Sequence, residues 1–213
     1  LYLADAGRRA AGEVAELERD EARHVRALRL ADGDAVRVTD ARGALWGARL
    51  VADGDAVRLL EPLEAPPPLE LELWAPVGNK QATLWLAEKA TEFGLRRLCP
   101  VECERSASVA DAGRSAGFWR KAERRALAAV KQSGSARLPE IDEPASLEAR
   151  LSGLAADVPR IVLDPAGAPL AEVLSEWPGR PSPVVLVGPE GGLTDEELAA
   201  CRAAGFRPAA LGP

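Results

Sequence analysis

Short apolar runs alternate with amphipathic stretches from about residue 69 to the end of the chain. The runs are bounded by Gly, Pro or Asp, which is typical of buried strands, and the stretches between them have the period of helices. This pattern predicts strands at about 71–77, 97–102, 160–163, 183–187 and 207–211, and helices at about 81–93, 117–132, 146–154, 169–177 and 194–204. Strands and helices in alternation favour an α/β fold with a parallel sheet.

The first 65 residues have a different pattern. Short strands over 36–40, 45–51 and 56–60, separated by Asp-Gly and Arg-Gly turns, predict a small β-rich module spaced as in a small barrel, after a short helix over 20–30. The prolines at 66–68 form a stiff spacer that neither a helix nor a central strand can absorb. We therefore expect one domain over 1–66 and a second over 69–213.

A glycine loop follows the strand predicted at 183–187, and it is the strongest candidate for a ligand site. The loop Gly188-Pro189-Glu190-Gly191-Gly192 precedes Thr194, which forms a capping-box signature with Glu197. Such a loop lets the backbone approach a ligand and leaves amide donors free at a helix start. Three acidic residues in the first turn, 195–197, argue against phosphate and favour a nucleoside. A tight turn without any ligand is the alternative.

Composition narrows the classes of function. The chain has 213 residues, a net charge of −6 and no apolar run long enough to span a membrane, so we expect a cytoplasmic globular protein. Its cysteines are Cys99, Cys103 and Cys201, and His24 is its single histidine. This set argues against a disulfide framework and against a metal site, so we interpret the cysteines as buried small hydrophobes. The absence of Met suggests that the displayed chain is not the whole translated product.

Basic residues are concentrated in two places despite the negative net charge. Between Arg96 and Arg137 the sequence contains ten basic and four acidic residues. In the helix predicted near the start of the chain, Arg23, Arg26 and Arg29 recur every three residues and should share a face that could meet a phosphate backbone. The alternative is a solvated face whose arginines pair with nearby Asp20 and Glu21.

Six motifs occur in the order and spacing of one known family. They are His24-Val25-Arg26-Ala27-Leu28-Arg29-Leu30, Glu88-Lys89-Ala90-Thr91-Glu92-Phe93-Gly94, Glu104-Arg105-Ser106, Lys131-Gln132-Ser133-Gly134, Leu186-Val187-Gly188-Pro189-Glu190-Gly191-Gly192 and Leu211-Gly212-Pro213. Across nearly its whole length the chain resembles the RsmE family, bacterial methyltransferases that act on N3 of a uridine in small-subunit (16S) ribosomal RNA.

The resemblance implies a fold and an activity. The expected fold is a SPOUT-type α/β domain with a C-terminal trefoil knot, incomplete in the displayed sequence, preceded by a PUA-like RNA-binding β-barrel. The expected activity is S-adenosylmethionine-dependent methylation of uridine N3 in 16S ribosomal RNA or the small ribosomal subunit, by a homodimer without a metal. The alternatives are an RNA-binding ribosome-assembly factor without methyltransferase activity and a nucleotide-binding Rossmann enzyme, which the missing phosphate signature disfavours.

The same resemblance assigns site residues. Cofactor binding is expected at Leu163, Asp164, Val187, Gly188, Pro189, Glu190, Gly191, Gly192, Leu211, Gly212 and Pro213. RNA binding is expected at Arg23, His24, Arg26, Arg29, Lys80, Lys89, Glu92, Arg105 and Gln132. Glu190 is the candidate catalytic group because uridine N3 carries a proton at neutral pH that must be removed; capping of loop amides is its alternative role.

The sequence departs from the family pattern at three points. The last family motif continues into an Arg- and Glu-containing tail and a final helix, whereas the displayed chain stops at Pro213. Ser135 stands where the family more often has Arg, with Arg137 two residues on. Lys80 is the basic residue of a segment that matches the family only loosely. The last two departures concern RNA contacts rather than the fold.

Overall fold

The computed structural model describes residues 1–106, 116–155, 157–177 and 182–212. The chain forms two compact units: residues 1–67 with 127–138, and residues 68–126 with 139–213. No helix within the described ranges is both long and apolar enough to cross a bilayer.

The first unit is built on an antiparallel sheet with strand order β1-β4-β3-β2. Its strands are β1 (Val14–Glu16), β2 (Ala35–Thr39), β3 (Leu45–Val51) and β4 (Ala56–Pro62). A short 3₁₀ helix (Ala6–Arg8) and helix α1 (Arg19–Ala27) complete its N-terminal part. Side chains alternate along the strands, and Val25, Val38, Leu50, Val57 and Leu59 are fully buried at its centre.

Residues 127–138 pack with this sheet, which the sequence did not predict. The backbone amide of Gly43 donates to the Ala136 carbonyl and that of Leu138 to the Ala41 carbonyl, both at 2.9 Å. Lys131 Nζ lies 2.6 Å from the carboxylate of Glu21, which is only 5% exposed. A buried carboxylate needs such a partner, because burying it alone would cost several kcal/mol.

The second unit is built on a parallel sheet with order β11-β9-β10-β5-β6-β7, and β8 also pairs with β6. Its strands are β5 (Leu69–Pro76), β6 (Leu95–Glu102), β7 (Glu140–Ile141), β8 (Ala145–Ser146), β9 (Arg160–Pro169), β10 (Val184–Val187) and β11 (Arg207–Ala210). Its helices are α2 (Lys80–Glu92), α3 (Ala116–Ser133, with residues from 127 onward in the first unit), α4 (Leu147–Ser152), α5 (Leu170–Ser175) and α6 (Asp195–Ala203).

The core of the second unit lies on both faces of this sheet. Trp74, Leu98, Ile161 and Leu186 are 0–2% exposed, and the Trp74 ring packs against Phe206 with centroids 5.6 Å apart. Strands buried on both faces explain the continuous apolar runs of the sequence. The predicted α/β fold with a parallel sheet is therefore confirmed, together with a separate antiparallel sheet.

Three local features differ from the sequence predictions. Helix α1 ends at Ala27 rather than near residue 30, because Leu28 caps it and Arg29 takes a positive φ of 57°. Strands β1, β7 and β8 were not predicted, since they have only two or three residues each. Strand β9 extends to Pro169, well past the predicted end at 163.

Candidate functional site

A cavity of about 510 Å³ opens at the carboxyl ends of β9, β10 and β11. Ligands bind at this edge in parallel α/β sheets. The cavity is lined by Leu163, Asp164, Pro165, Val187, Gly188, Pro189, Glu190, Gly192, Leu193, Leu198, Ala209, Ala210, Leu211 and Gly212. Nine of the eleven residues expected to bind the cofactor are thus brought together. Gly191 is not among the lining residues, and Pro213 lies outside the described residues.

One wall of the cavity is a bulge in β9. Pro208 pairs with Val162 but the next residue of β11, Ala209, pairs with Ala168, so residues 163–167 have no partner in β11. The Asp164 side chain stabilises the bulge by accepting a hydrogen bond from the Ala166 amide at 2.9 Å. The bulge brings Leu163, Asp164 and Pro165 into the lining, and Pro165 was not among the residues expected to bind the cofactor.

The opposite wall is the glycine loop after β10. The Gly192 amide donates to the Pro189 carbonyl at 2.8 Å, which closes a four-residue turn. Gly192 has a φ of +71°, a conformation that costs other residues about 1–2 kcal/mol. A Cβ on Gly188 would lie 3.3 Å from the Leu193 side chain. The loop therefore requires glycine at 188 for space and at 192 for backbone conformation.

The loop is fixed to the helix that follows it by a capping box, as predicted. Thr194 Oγ1 accepts from the Glu197 amide, and the Thr194 amide donates to Glu197 Oε2 at 2.9 Å. The second carboxylate oxygen, Oε1, accepts from the Glu104 amide at 2.8 Å. Glu197 therefore joins three backbone segments around the loop: the start of α6, the end of the loop and the turn after β6.

Arg105 in that turn also holds the loop. Its guanidinium donates to the Gly191 carbonyl at 3.0 Å, and a Cβ on Gly191 would touch the Arg105 side chain at 3.4–4.0 Å. Gly191 therefore faces Arg105. Arg105 was expected to contact RNA, whereas in the structure its side chain contacts the glycine loop.

The cavity is acidic. Asp164 and Glu190 are the charged residues of its described lining, which contains no Lys, Arg or His. Glu190 is exposed and makes no hydrogen bond or ion pair with any part of the chain that the structure describes, so the alternative role of capping loop amides gains no support. Negative charge without a cation disfavours a phosphate ligand and favours a cationic one.

None of the three cysteines is a lining residue of this cavity, and all three are buried as free thiols. Burial raises the pKa of Cys103 to about 12 and that of Cys201 to about 11, with smaller contributions from Glu197. Burial likewise raises the pKa of Cys99. These thiols are protonated and unreactive at neutral pH. Among the described residues, no group of His, Cys, Asp or Glu side chains could hold a metal ion.

The expected RNA contacts of the first unit are exposed. Arg23 pairs with Asp20 at 2.7 Å and Arg26 with Asp55 at 2.6 Å, both at the surface. Arg29 lies beyond the end of α1, so the three arginines do not share one helical face. His24 and Gln132 are also exposed. Exposed ion pairs contribute about 0–1 kcal/mol, so Arg23 and Arg26 can exchange these partners for a phosphate.

The RNA contacts expected in the second unit differ from one another in their ion pairs. Lys89 Nζ donates to both carboxylate oxygens of Glu92 at 2.8 and 2.9 Å, and these hydrogen bonds raise the pKa of Lys89. Lys80 is exposed at the first position of α2, whose N-cap is Asn79. The Lys89–Glu92 pair is therefore internally neutralised, whereas Lys80 makes no ion pair with any residue that the structure describes.

Comparison with known proteins identifies the family. The model of the RNA methyltransferase domain matches residues 65–213. The chain belongs to the RNA methyltransferase domain family. Within that family, the resemblance to RsmE is confirmed by a curated relative, "Ribosomal RNA small subunit methyltransferase E" of Synechocystis sp., which is 29% identical over 195 residues. The alignment covers 88% of this chain and 62% of the relative, so the chain spans less than two thirds of that protein's length.

Solved structures of methyltransferases share the fold of this family member. Ribosomal RNA small subunit methyltransferase E from Neisseria gonorrhoeae, bound to S-adenosyl methionine, superposes with a TM-score of 0.85 at 22% identity, over 100% of this chain and 88% of that chain. A putative methyltransferase from Legionella pneumophila, also in complex with that cofactor, gives 0.76 at 24% identity, over 96% and 86%. At these identities the likeness concerns the fold.

Proposed function

We propose that this protein methylates N3 of a uridine in 16S ribosomal RNA, with S-adenosylmethionine as the methyl donor. The observation that carries the proposal is the acidic, cation-free cavity at the carboxyl edge of a methyltransferase-family sheet. The names of the curated relative and of the solved structures support the substrate and the cofactor. Such a target would place the protein in the cytoplasm.

The lining residues fit this cofactor. Leu163, Val187, Leu193, Leu198 and Leu211 offer apolar surface for an adenine ring, beside backbone groups of the glycine loop. S-adenosylmethionine carries a sulfonium and an ammonium against one carboxylate, and its net positive charge suits a cavity with two carboxylates and no cation. ATP carries the opposite charge and would be repelled. When bound, the sulfonium compound supplies an activated methyl group.

Asp164 and Glu190 would have different roles in the cavity. Asp164 keeps one carboxylate oxygen on the Ala166 amide, which leaves the other to accept from a ligand hydroxyl or to face a positive charge. Glu190 has no side-chain partner among the described residues and is the carboxylate of the glycine loop. We therefore assign it the role of accepting the proton from uridine N3.

The exposed cations would hold the RNA backbone. Arg23, Arg26, Arg29 and Lys80 are exposed, and the first two need only leave weak surface pairs. Arg105 would act mainly by holding the loop, since its guanidinium already donates to Gly191. Phosphate contacts of this kind make RNA affinity fall with salt.

Finer features of the fold belong to the same proposal. We infer a PUA-like barrel over 1–66 and a SPOUT domain from 69 onward with a trefoil knot at its C-terminal end. Support for close threading comes from Gly167: a Cβ there would lie 2.5 Å from the Ala209 amide nitrogen. Only a residue without a side chain permits that approach of two backbones.

A homodimer is also proposed. The candidate surfaces for its interface are the helix around Leu84–Ala87 and the helix after the glycine loop. Trp85 is 59% exposed and Phe93 71%, whereas Leu198 packs against the core. Exposed aromatic residues on α2 and at its C-cap suit an isologous interface. Sedimentation velocity of Trp85→Glu beside the parent tests this; a parent that stays monomeric at high concentration while fully active would contradict the proposal.

The proposed activity is tested by incubating the protein with tritium-labelled S-adenosylmethionine and 16S ribosomal RNA that lacks the modification, followed by nucleoside mass spectrometry. The expected product is 3-methyluridine at a single position. RNA binding without methyl incorporation would instead support an assembly factor, and a methyl group on another nucleoside would contradict the N3 assignment.

A further inference from the structure

The first unit contains a second cavity, of about 210 Å³, that the proposed reaction does not use. Residues from the end of α1, from β2 and from the segment 127–138 converge on it, although they are far apart in sequence. Its volume is less than half that of the glycine-loop cavity, about 510 Å³, so it suits a small group such as one nucleobase.

Most of its wall is apolar. Leu30, Val36, Leu45 and Val130 form the interior, and Leu28 completes the lining although 55% of that side chain is exposed. A concave apolar surface with an exposed leucine and a few polar groups is a typical small-ligand site. A flat, weakly polar group such as a nucleobase would bury this surface.

The polar part of the lining is positive. Arg37 and His24 make no side-chain ion pair with the described residues, and the lining contains no carboxylate. Lys131 also lines the cavity, but Glu21 neutralises it at 2.6 Å. Two unpaired cationic or protonatable groups beside an apolar cavity suit a ligand that joins an apolar ring to a phosphate.

The Arg37 side chain is exposed and its guanidinium lies against the backbone at Gly134. A Cβ on Gly134 would lie 3.2 Å from a terminal nitrogen of the Arg37 guanidinium, and Gly134 has a φ of +75°. Glycine at 134 therefore leaves room for the guanidinium to lie against the backbone.

We propose that this cavity receives the base of one unpaired RNA nucleotide, while Arg37 and His24 hold the adjoining phosphate. The inference rests on the proposed function, since it takes RNA as the partner. Single-stranded RNA is recognised in this way, with a base turned out of the stack into a pocket. Duplex RNA keeps its bases paired and would not enter. His24 was an expected RNA contact, whereas Arg37 and Leu28 were not assigned a role in RNA binding.

Binding of a fluorescent single-stranded uridine pentanucleotide, measured by anisotropy over a range of salt concentrations, tests the proposal. Arg37→Ala should weaken binding and lower the slope of log affinity against log salt by about 0.7, the value for one phosphate of a single strand. Leu28→Ala should weaken binding about fivefold. The matched controls are Arg58→Ala and Leu60→Ala, exposed residues of β4 outside the cavity, which should change affinity less than about twofold.

An abasic pentanucleotide separates the base from the phosphate. It should bind the parent more weakly than the uridine oligomer does, remain sensitive to Arg37→Ala and be insensitive to Leu28→Ala. Equal losses in Arg58→Ala and Arg37→Ala would overturn the proposal in favour of general charge attraction. Uridine monophosphate binding as tightly as the oligomer would overturn the assignment to RNA.

The same preparations distinguish this inference from the proposed function. S-adenosylmethionine titration should be unchanged in Arg37→Ala and Leu28→Ala, because both residues lie outside the second unit. Their melting temperatures should stay close to that of the parent, because both side chains are exposed. If the parent methylates RNA but neither substitution changes the affinity for the oligomer, the inference alone is wrong. If both substitutions weaken oligomer binding as expected but the parent transfers no methyl group, the proposed function alone is wrong.

Discussion

Removing the two negative charges of the glycine-loop cavity should weaken S-adenosylmethionine more than S-adenosylhomocysteine, which lacks the sulfonium charge. The perturbations are Asp164→Asn and Glu190→Gln, which change charge and little else. Asn at 164 can still accept from the Ala166 amide, so the bulge is preserved.

The expected loss of affinity follows from the exposure of these carboxylates. Opposite unit charges about 4 Å apart attract by roughly 1 kcal/mol in water and roughly 4 kcal/mol near a protein surface. Glu190 is exposed and Asp164 is half-buried, so we take the lower value, about 1 kcal/mol or about fivefold in affinity for each substitution. The double variant should lose roughly twenty-five-fold if the two effects add.

Isothermal titration of both ligands against each variant gives the ratio of the two affinities. Asp195→Asn is the matched control, because it removes the same charge from an exposed residue outside the cavity lining. The affinity for S-adenosylmethionine divided by that for S-adenosylhomocysteine should fall in the two cavity variants and stay constant in the control. Equal losses for both ligands would refute the electrostatic reasoning, since hydrogen bonding alone would then explain the effect.

Three further predictions concern residues that support the site. Glu197→Ala should lower the free energy of unfolding, measured in urea, by about 2–4 kcal/mol, because two backbone amides lose their acceptor. The control Glu196→Ala should lower it by less than about 1 kcal/mol, and equal losses would contradict the bridging role of Glu197. Gly167→Ala should lower the melting temperature through its clash with β11, with a cost of about 1–3 kcal/mol, and an unchanged melt would mean that the backbones can separate. Cys103 and Cys201 should resist a thiol reagent at pH 8 in the folded protein. Because their folded pKa values of about 12 and 11 exceed the unfolded value of 9.0, their contribution to stability is present below pH 9 and is lost as pH rises towards the folded values, which urea titrations at increasing pH will measure.

The regular elements could be predicted because their signals are local. Apolar β-branched runs such as Val184–Val187 identify buried strands, and Thr194 with Glu197 identifies the start of α6. The glycine loop was identified as a ligand site for the same reason. Its acidic neighbours were interpreted only as charges that oppose phosphate, whereas Glu197 also binds the Glu104 amide, a contact 93 residues apart that no local pattern reveals.

The features that sequence could not predict depend on distant partners. The register shift of β9 between Val162 and Ala168 is a property of its pairing with β11, and Leu163–Gly167 look like an ordinary loop in the sequence. The Glu21–Lys131 ion pair joins residues 110 positions apart. It explains why segment 127–138 clusters with the first unit although it follows the proline spacer.

The central claim is that the cavity of the glycine loop holds S-adenosylmethionine. A crystal of the protein grown with that compound tests it most directly. We predict density for the adenosyl group between the bulge 163–165, the loop 187–193 and residues 209–212. Density at another place, or an empty cavity at saturating ligand concentration, would contradict the account.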